Sequence, residues 1–213
     1  MATFSLIVML GLFSCTVVCG YLLPGEFRKV VATLHASNGG GFGSWAEPQY
    51  CARSTYAVGY KIKVEQSQGN HDDTALNGIS LVCAHLDGTF GGDITSGVGN
   101  FGSWYNPVYC PHDDIEYVQI MVQFNFRVEP SQGHNDDTAA NDVQFKCNDL
   151  EGRDPARDVV IHAPGRTGWG SWAWSTTCPE NSGICGIQTR VEPPIGNGDD
   201  TGLNDVNLFC CKD

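Results

Sequence analysis

From Val118 to Val128 apolar and polar residues alternate. Val118, Ile120, Val122, Phe124, Phe126 and Val128 share one face, and Gln119, Met121, Gln123, Asn125 and Arg127 the other. Period-two alternation over that length predicts a half-buried β-strand. The pattern recurs at Val58, Tyr60, Ile62 and Val64 and again at Cys185, Ile187, Thr189 and Val191. In each case a Gly-, Asn- and Asp-rich phrase follows, and alternation resumes at Ile79-Leu81-Cys83, Val143-Phe145-Cys147 and Val206-Leu208-Cys210. The phrase therefore reads as the connection between two strands of one sheet. Further strands are expected at Val30-Ala32-Leu34, at Val159-Ile161 and in the Gly-rich stretches before the tryptophans. No 3.6-residue period emerges beyond the first twenty residues. A sheet of about four strands buries one face only, so three such sheets must pack around a shared core, which predicts an all-β fold.

The connecting phrase is itself a repeat. Val64-Glu65 to Asn77, Val128-Glu129 to Asn141 and Val191-Glu192 to Asn204 hold the Glu, a Gly, Asp-Asp-Thr and the closing Asn at identical offsets, with the Glu residues 64 and 63 positions apart. Units of about 28–90, 91–150 and 151–213 follow. Each also carries an aromatic-Gly-Ser-Trp or Phe-Gly-Ser-Trp motif ending at Trp45, Trp104 or Trp172, six residues before Cys51, Cys110 or Cys178. Gly43, Gly102 and Gly170 are expected to serve a turn or a close backbone approach, and the three tryptophans to fill the ends of the core.

Composition changes the picture at the ends. Residues 1–20 carry no charged side chain and an apolar run from Phe4 to Val18, which reads as a secretory signal peptide; residues 21–213 are then expected to form a single domain. Loss of that segment removes Cys15 and Cys19 and leaves eight cysteines for an oxidising compartment. Eight cysteines allow 105 pairings in principle. Repeat equivalence selects Cys51 with Cys83, Cys110 with Cys147 and Cys178 with Cys210, leaving Cys185 for Cys211. The formal net charge of -12 argues against nucleic acid and anionic membranes as partners.

The acidic phrase has three chemical readings. Its carboxylates and Thr hydroxyl can cap backbone groups in a tight turn. They can bind calcium, although Asp-Asp-Thr lacks the alternating spacing of a calcium loop. Glu65 with Asp72, Glu129 with Asp136 and Glu192 with Asp199 can also form carboxylate pairs for glycoside chemistry. Three copies of one constellation supply like environments, whereas a general acid and base need unlike ones, so turn chemistry is the leading reading. Chemistry is better sought where the copies differ. Trp169 and Trp174, in the dense aromatic cluster of the third unit, are the candidate platforms for a sugar. Six histidines, His35, His71, His85, His112, His134 and His162, fall at positions read as non-corresponding, so no metal site and no cofactor is expected.

Together, V-E-x-S-Q-G-x-x-D-D-T-A-x-N, the G-S-W motif, three in-unit cysteine pairs and the terminal Cys210-Cys211 resemble the vitelline membrane outer layer protein I family, from about Val30 to Lys212. The resemblance implies a β-prism of three four-stranded Greek-key sheets with pseudo-threefold symmetry, secreted and held by four disulfides. It also implies a place in the outer layer of the egg envelope or in other secretions. Two functions follow. One is a structural extracellular component that binds glycoproteins or oligosaccharides; the other is a transferase or hydrolase acting on N-acetylglucosamine oligomers. Two departures stand out: unit two carries five more residues between Cys110 and Glu129, and unit three lacks the Ser-Gln pair.

Overall fold

The computed structural model describes residues 28–67, 74–112, 118–130, 138–194 and 201–213; the expected signal segment lies outside them. The strands are β1 (Lys29–Leu34), β2 (Ser44–Trp45), β3 (Gln49–Tyr50), β4 (Tyr56–Val64), β5 (Leu76–Ala84), β6 (Phe90–Thr95), β7 (Ser103–Trp104), β8 (Val108–Tyr109), β9 (Ile120–Val128), β10 (Ala140–Asn148), β11 (Val159–His162), β12 (Ser171–Trp174), β13 (Gly183–Val191) and β14 (Leu203–Lys212). They form three antiparallel sheets. The first has the order β6-β5-β4-β7, with β8 also on β4. The second is β11-β10-β9-β12, and the third is β1-β14-β13-β2, with β3 also on β13. Three strands in succession and a fourth returning beside the first is the Greek-key order. The fold is a β-prism.

The sheets are out of phase with the sequence units. Each takes its central hairpin from one unit and its two outer positions from the next, so that the third sheet pairs the C-terminal hairpin with β1, β2 and β3 from the start of the chain. Lys29 faces Lys212 in the register, and Arg28 is ion-paired with Asp213 at 2.9 Å. The same phase shift turns the in-unit disulfides into links between sheets. Cys51, following β3, joins the third sheet to Cys83 on β5 of the first. Cys110, following β8, joins the first to Cys147 on β10 of the second. Cys178, following β12, joins the second to Cys210 on β14 of the third. The fourth bridge, Cys185–Cys211, lies within the third sheet.

Alternation along the central strands is interrupted by a β-bulge in each sheet. Ala57 and Gly59 oppose Cys83 and Val82, Met121 and Gln123 oppose Cys147 and Lys146, and Ile184 and Gly186 oppose Cys210 and Phe209; Val58, Val122 and Cys185 are the extra residues. The single-face reading of Val118 to Val128 is therefore corrected. Met121 joins Phe124, Phe126 and Val128 in the main core, while Val118, Ile120 and Val122 form a second cluster with Tyr56, Val58 and Ala84. Cys185 likewise leaves the face of Ile187, and Ile184 takes the core position instead. Cys211 must project opposite to its neighbour Cys210, and the bulge carries Cys185 to that same side. The pairing that adjacency of Cys210 and Cys211 makes awkward is thereby satisfied.

The main core contains Tyr60, Phe124, Phe145, Leu81, Leu208 and Ile187, all fully buried. Its fully buried phenol is a pin between sheets: Tyr60 OH donates to the Val143 carbonyl at 2.8 Å and accepts from the Ala163 amide at 2.8 Å. Burial pushes its pKa far above the ordinary phenol value. Phe124 and Ile187 occupy the corresponding positions, so this pin is absent from the other two sheets. Tyr60→Phe, which strands a buried amide and carbonyl, is expected to cost about 2 kcal/mol in urea denaturation. Phe124→Tyr, a hydroxyl added where none is matched, should cost at least as much.

Candidate functional site

The acidic phrase closes each hairpin by the same hydrogen bonds. The Glu65 amide donates to Ala75 O at 2.8 Å, and its carboxylate accepts from Thr74 Oγ1 at 2.7 Å and the Thr74 amide at 3.3 Å. Asn77 Nδ2 donates to Thr74 Oγ1 at 2.6 Å. Glu129 receives Thr138 Oγ1 at 2.7 Å and Glu192 receives Thr201 Oγ1 at 2.5 Å, with Asn141 and Asn204 behind them at 2.6 Å each. Ala75, Ala139 and Gly202 take positive φ (48°, 46° and 61°), and the Asn two residues on is the extra residue of a second bulge. Asp72, Asp136 and Asp199 lie outside the described residues. The three glutamates share one environment, each tied to its own Thr. Nothing in that arrangement separates an acid from a base.

The bulged Asn also fixes the strand before each tryptophan. Gly40 and Gly99 amides donate to Asn204 O and Asn77 O, both at 2.7 Å, and a Cβ on either glycine would lie 2.6 or 2.2 Å from the Asn Oδ1. The third unit places Thr167 there instead. Its amide stands back at 3.4 Å and its hydroxyl reaches Asn141 Oδ1 at 2.7 Å. Asn77 Oδ1 and Asn204 Oδ1, facing glycines, have no such partner and are buried without a hydrogen bond.

The tryptophans of the G-S-W motif do not fill the core. Trp45, Trp104 and Trp172 are 39%, 41% and 37% exposed, because β2, β7 and β12 are edge strands on which alternate residues face outward. Each stands opposite a cation two residues before the Glu: Arg190, Lys63 and Arg127. Arg190 Nε and Arg127 Nε donate to the Gly43 and Gly170 carbonyls at 3.2 and 3.1 Å, and Lys63 Nζ to Gly99 O at 2.8 Å. Trp169 and Trp174 are also exposed, at 43% and 44%. Trp169 precedes β12, and Phe42 and Phe101 at its position are exposed as well; Trp174 lies on β12 facing the same way as Trp172.

On the outer face of the second sheet, register aligns four side chains across four strands: Trp174 opposite Asn125, Asn125 opposite Gln144, Gln144 opposite His162. Asn125 Nδ2 donates to Gln144 Oε1 at 3.4 Å, and Gln144 Nε2 meets His162 Nδ1 at 3.1 Å. His162 Nε2 reaches Asp142 Oδ2 at 2.6 Å, and the Val143 amide donates to the other carboxylate oxygen at 2.8 Å. Desolvation raises the pKa of the buried Asp142, against the opposing pull of His162 and Arg166. Arg127 lies 5.8 Å from the Trp172 ring centroid and Lys146 5.5 Å from that of Trp174. Asn125 Oδ1 is buried with no partner.

The sequence marks none of Asp142, Gln144 and Asn125 as a candidate, and weighs His162 only as a metal ligand. A signal existed: Asp142 and Asp205 both lie thirteen residues after the repeat Glu, where unit one has Gly78. The histidines are a correction. His162 faces Gln144, and His35, one residue beyond the Leu34–Leu208 pair, stands at the same place on the third sheet. They correspond after all, on strands borrowed from different units. Among the described residues no three His, Cys, Asp or Glu side chains are grouped to hold a metal, and no helix is long and apolar enough to cross a membrane.

The sequence matches the family model for vitelline membrane outer layer protein I over residues 32–213. It is 40% identical over 186 residues to the vitelline membrane outer layer protein 1 homolog of Homo sapiens, spanning 85% of this chain and 83% of that one. The Mus musculus homolog is 38% identical over 186 residues, spanning 86% and 85%. Among solved structures, a mannose-specific jacalin-related lectin from Morus nigra overlays 86% of this chain and 94% of its own at a TM-score of 0.47 and 14% identity. The threefold phrase, the four disulfides and the sequence match agree: this chain belongs to the vitelline membrane outer layer protein I family.

Proposed function

We propose that this protein is a secreted, disulfide-stapled structural component of an extracellular layer such as an egg envelope, and that it binds the glycans of that layer. The observation that supports the glycan reading is the outer face of the second sheet. Two indoles, Trp172 and Trp174, emerge on one side of the sheet beside a row of amide and imidazole groups. Indole faces stack on the C–H faces of a sugar ring, and side-chain amides both donate and accept, as sugar hydroxyls do. Four disulfides and membership of the family support the extracellular setting. The Glu65, Glu129 and Glu192 carboxylates proposed for hydrolysis or transfer are each bonded to the Thr of their own turn in the same way, which gives the enzyme reading no support.

The test is calorimetric titration of the purified protein with a panel of neutral oligosaccharides built from glucose, mannose, galactose and N-acetylglucosamine. Trp174→Ala is expected to weaken binding about tenfold or more, the equivalent of about 1.4 kcal/mol. Trp169→Ala, which removes an indole off the strand, should weaken it less. Absence of heat with every sugar at millimolar concentration would refute the proposal. Oligosaccharides recovered after incubation should be unchanged in length.

A further inference from the structure

We infer that the third sheet carries a second glycan site equivalent to that of the second sheet, and that the first sheet carries none, so that one chain joins two glycan strands. The inference rests on the glycan reading above and extends it to valency.

The correspondence is residue by residue except at Trp174, where the third sheet has Glu47, so that Trp45 is the indole of that face. Arg127 and Arg190 stand two before the repeat Glu, Asn125 and Gln188 four before it, Asp142 and Asp205 thirteen after it, Gln144 and Asn207 fifteen after it. Register places them identically: Asp142 opposite Arg127 and Asp205 opposite Arg190, Gln144 opposite Asn125 and Asn207 opposite Gln188. The bonds repeat too. Asn125 Nδ2 donates to Gln144 Oε1 at 3.4 Å, and Asn207 Nδ2 to Gln188 Oε1 at 3.3 Å. The amides of Val143 and Val206 each donate to the preceding Asp at 2.8 Å. His162 and His35 end the rows, and Trp172 and Trp45 stand opposite the two arginines. Asn and Gln have exchanged places between the faces, which preserves an amide pair while altering its reach.

The first sheet has lost this set. Its counterparts are Lys61, Ser80, Gly78 and Thr95, with no amide pair, Gly78 in place of an Asp opposite Lys63, and no His at the end of the row. A Cβ on Gly78 would meet Val98 at 3.1 Å and Trp104 at 3.2 Å, so the space an Asp side chain uses elsewhere is filled by an indole and a valine. Lys61 is committed to Asp93 at 3.0 Å.

Two further features identify the ligand as neutral and polyhydroxylated. On each equipped face the strand Arg is matched by an Asp directly across the ladder, and on the second sheet Lys146 beside Trp174 is ion-paired with Asp158 at 2.9 Å, so no cation there is left unbalanced to select an anionic ligand. On the second sheet the buried Asn125 Oδ1, lying between Trp174 and Gln144, is an acceptor with no partner. A buried acceptor without a donor is costly, and a small shift of the Asn125 side chain toward the surface would let a sugar hydroxyl supply one. Because the two faces belong to different sides of the prism, a single oligosaccharide on one leaves the other free.

The experiment reads stoichiometry. Calorimetry with the tightest-binding oligosaccharide of the panel is run on the wild type, on Trp174→Ala with Gln144→Ala, on Gln188→Ala with Asn207→Ala, on all four together, and on Lys61→Ala; thermal melts confirm that each variant is folded. Expected are two equivalents for wild type and Lys61→Ala, one for each double variant and none for the quadruple. A soluble polymer of the same sugar should be precipitated by wild type and by neither double variant. One equivalent in the wild type, lost on the second-sheet variant and untouched by the third-sheet variant, overturns bivalence and leaves the glycan reading standing. A second equivalent lost in Lys61→Ala overturns the choice of faces. No binding by the wild type refutes both proposals together.

Discussion

Gly43→Ala is expected to lower stability by about 4 kcal/mol, whereas Gly41→Ala, two residues earlier in the same glycine-rich run, should leave it unchanged or raise it by a few tenths of a kcal/mol. Gly43 has φ of 74°, and a Cβ there would lie 2.3 Å from Val191 O and 2.4 Å from the Glu192 amide. Both the backbone conformation and the close approach exclude a side chain. Gly41 has open space around its missing Cβ. The sequence offers no way to distinguish the two glycines within one unit. Comparison of units does, because Gly102 (φ 77°) and Gly170 (φ 82°) repeat the same contact with Val64 and Val128 while the position of Gly41 carries Asn100 in unit two. Denaturation in guanidinium, disulfides intact, measures the difference. A loss below about 1 kcal/mol at Gly43 would show that the edge strand can peel away, and with it that the Trp45–Arg190 pairing does not hold the third sheet closed.

How much the sequence reveals follows from what a repeat can and cannot encode. Glu65, Thr74 and Asn77 recur at fixed offsets because they bond to one another within one hairpin, and local bonds survive as local spacing. The strands were legible for the same reason. The bulges were not: Val122 is apolar like its neighbours, and insertion of one extra residue moves Met121 from the polar series into the core without any change in the alternating pattern. The tryptophans misled because aromatic side chains normally signal core, yet here they lie on edge strands supplied by the next unit, a fact that requires the pairing of β7 with β4 rather than with its own hairpin. The Asp142–His162 pair failed to show for the same reason, since its members come from units two and three. Symmetry counts against catalysis at the Glu residues and directs attention to places where the units disagree. The one that the glycan proposal uses is Gly78 against Asp142 and Asp205.

The largest loss is expected when a bridge between sheets is removed. Cys110→Ser with Cys147→Ser opens a loop of 37 residues between the first and second sheets, which loop-closure entropy values at about 4 kcal/mol. Cys147 is also fully buried in the main core, so a serine hydroxyl placed there needs a partner or adds to the cost. Removal of Cys185 and Cys211 spans 26 residues, and taken alone would cost nearly as much. It is not alone. With Cys178–Cys210 intact, the fourth bridge closes only the stretch from Cys178 to Cys185 and the single step from Cys210 to Cys211, and a loop of that size is worth about 2.5 kcal/mol. The two ends are moreover already adjacent through the β13–β14 ladder, whereas the first and second sheets, this bridge apart, meet through side-chain packing and crossing hydrogen bonds such as those of Tyr60 with Val143 and Ala163. Paired denaturation curves should therefore show the Cys110–Cys147 variant less stable than the Cys185–Cys211 variant by about 1.5 kcal/mol. Should the order be reversed, the fourth bridge would be the one that closes the ring, and the bulge at Cys185 would be the joint at which the third sheet is fastened to the rest.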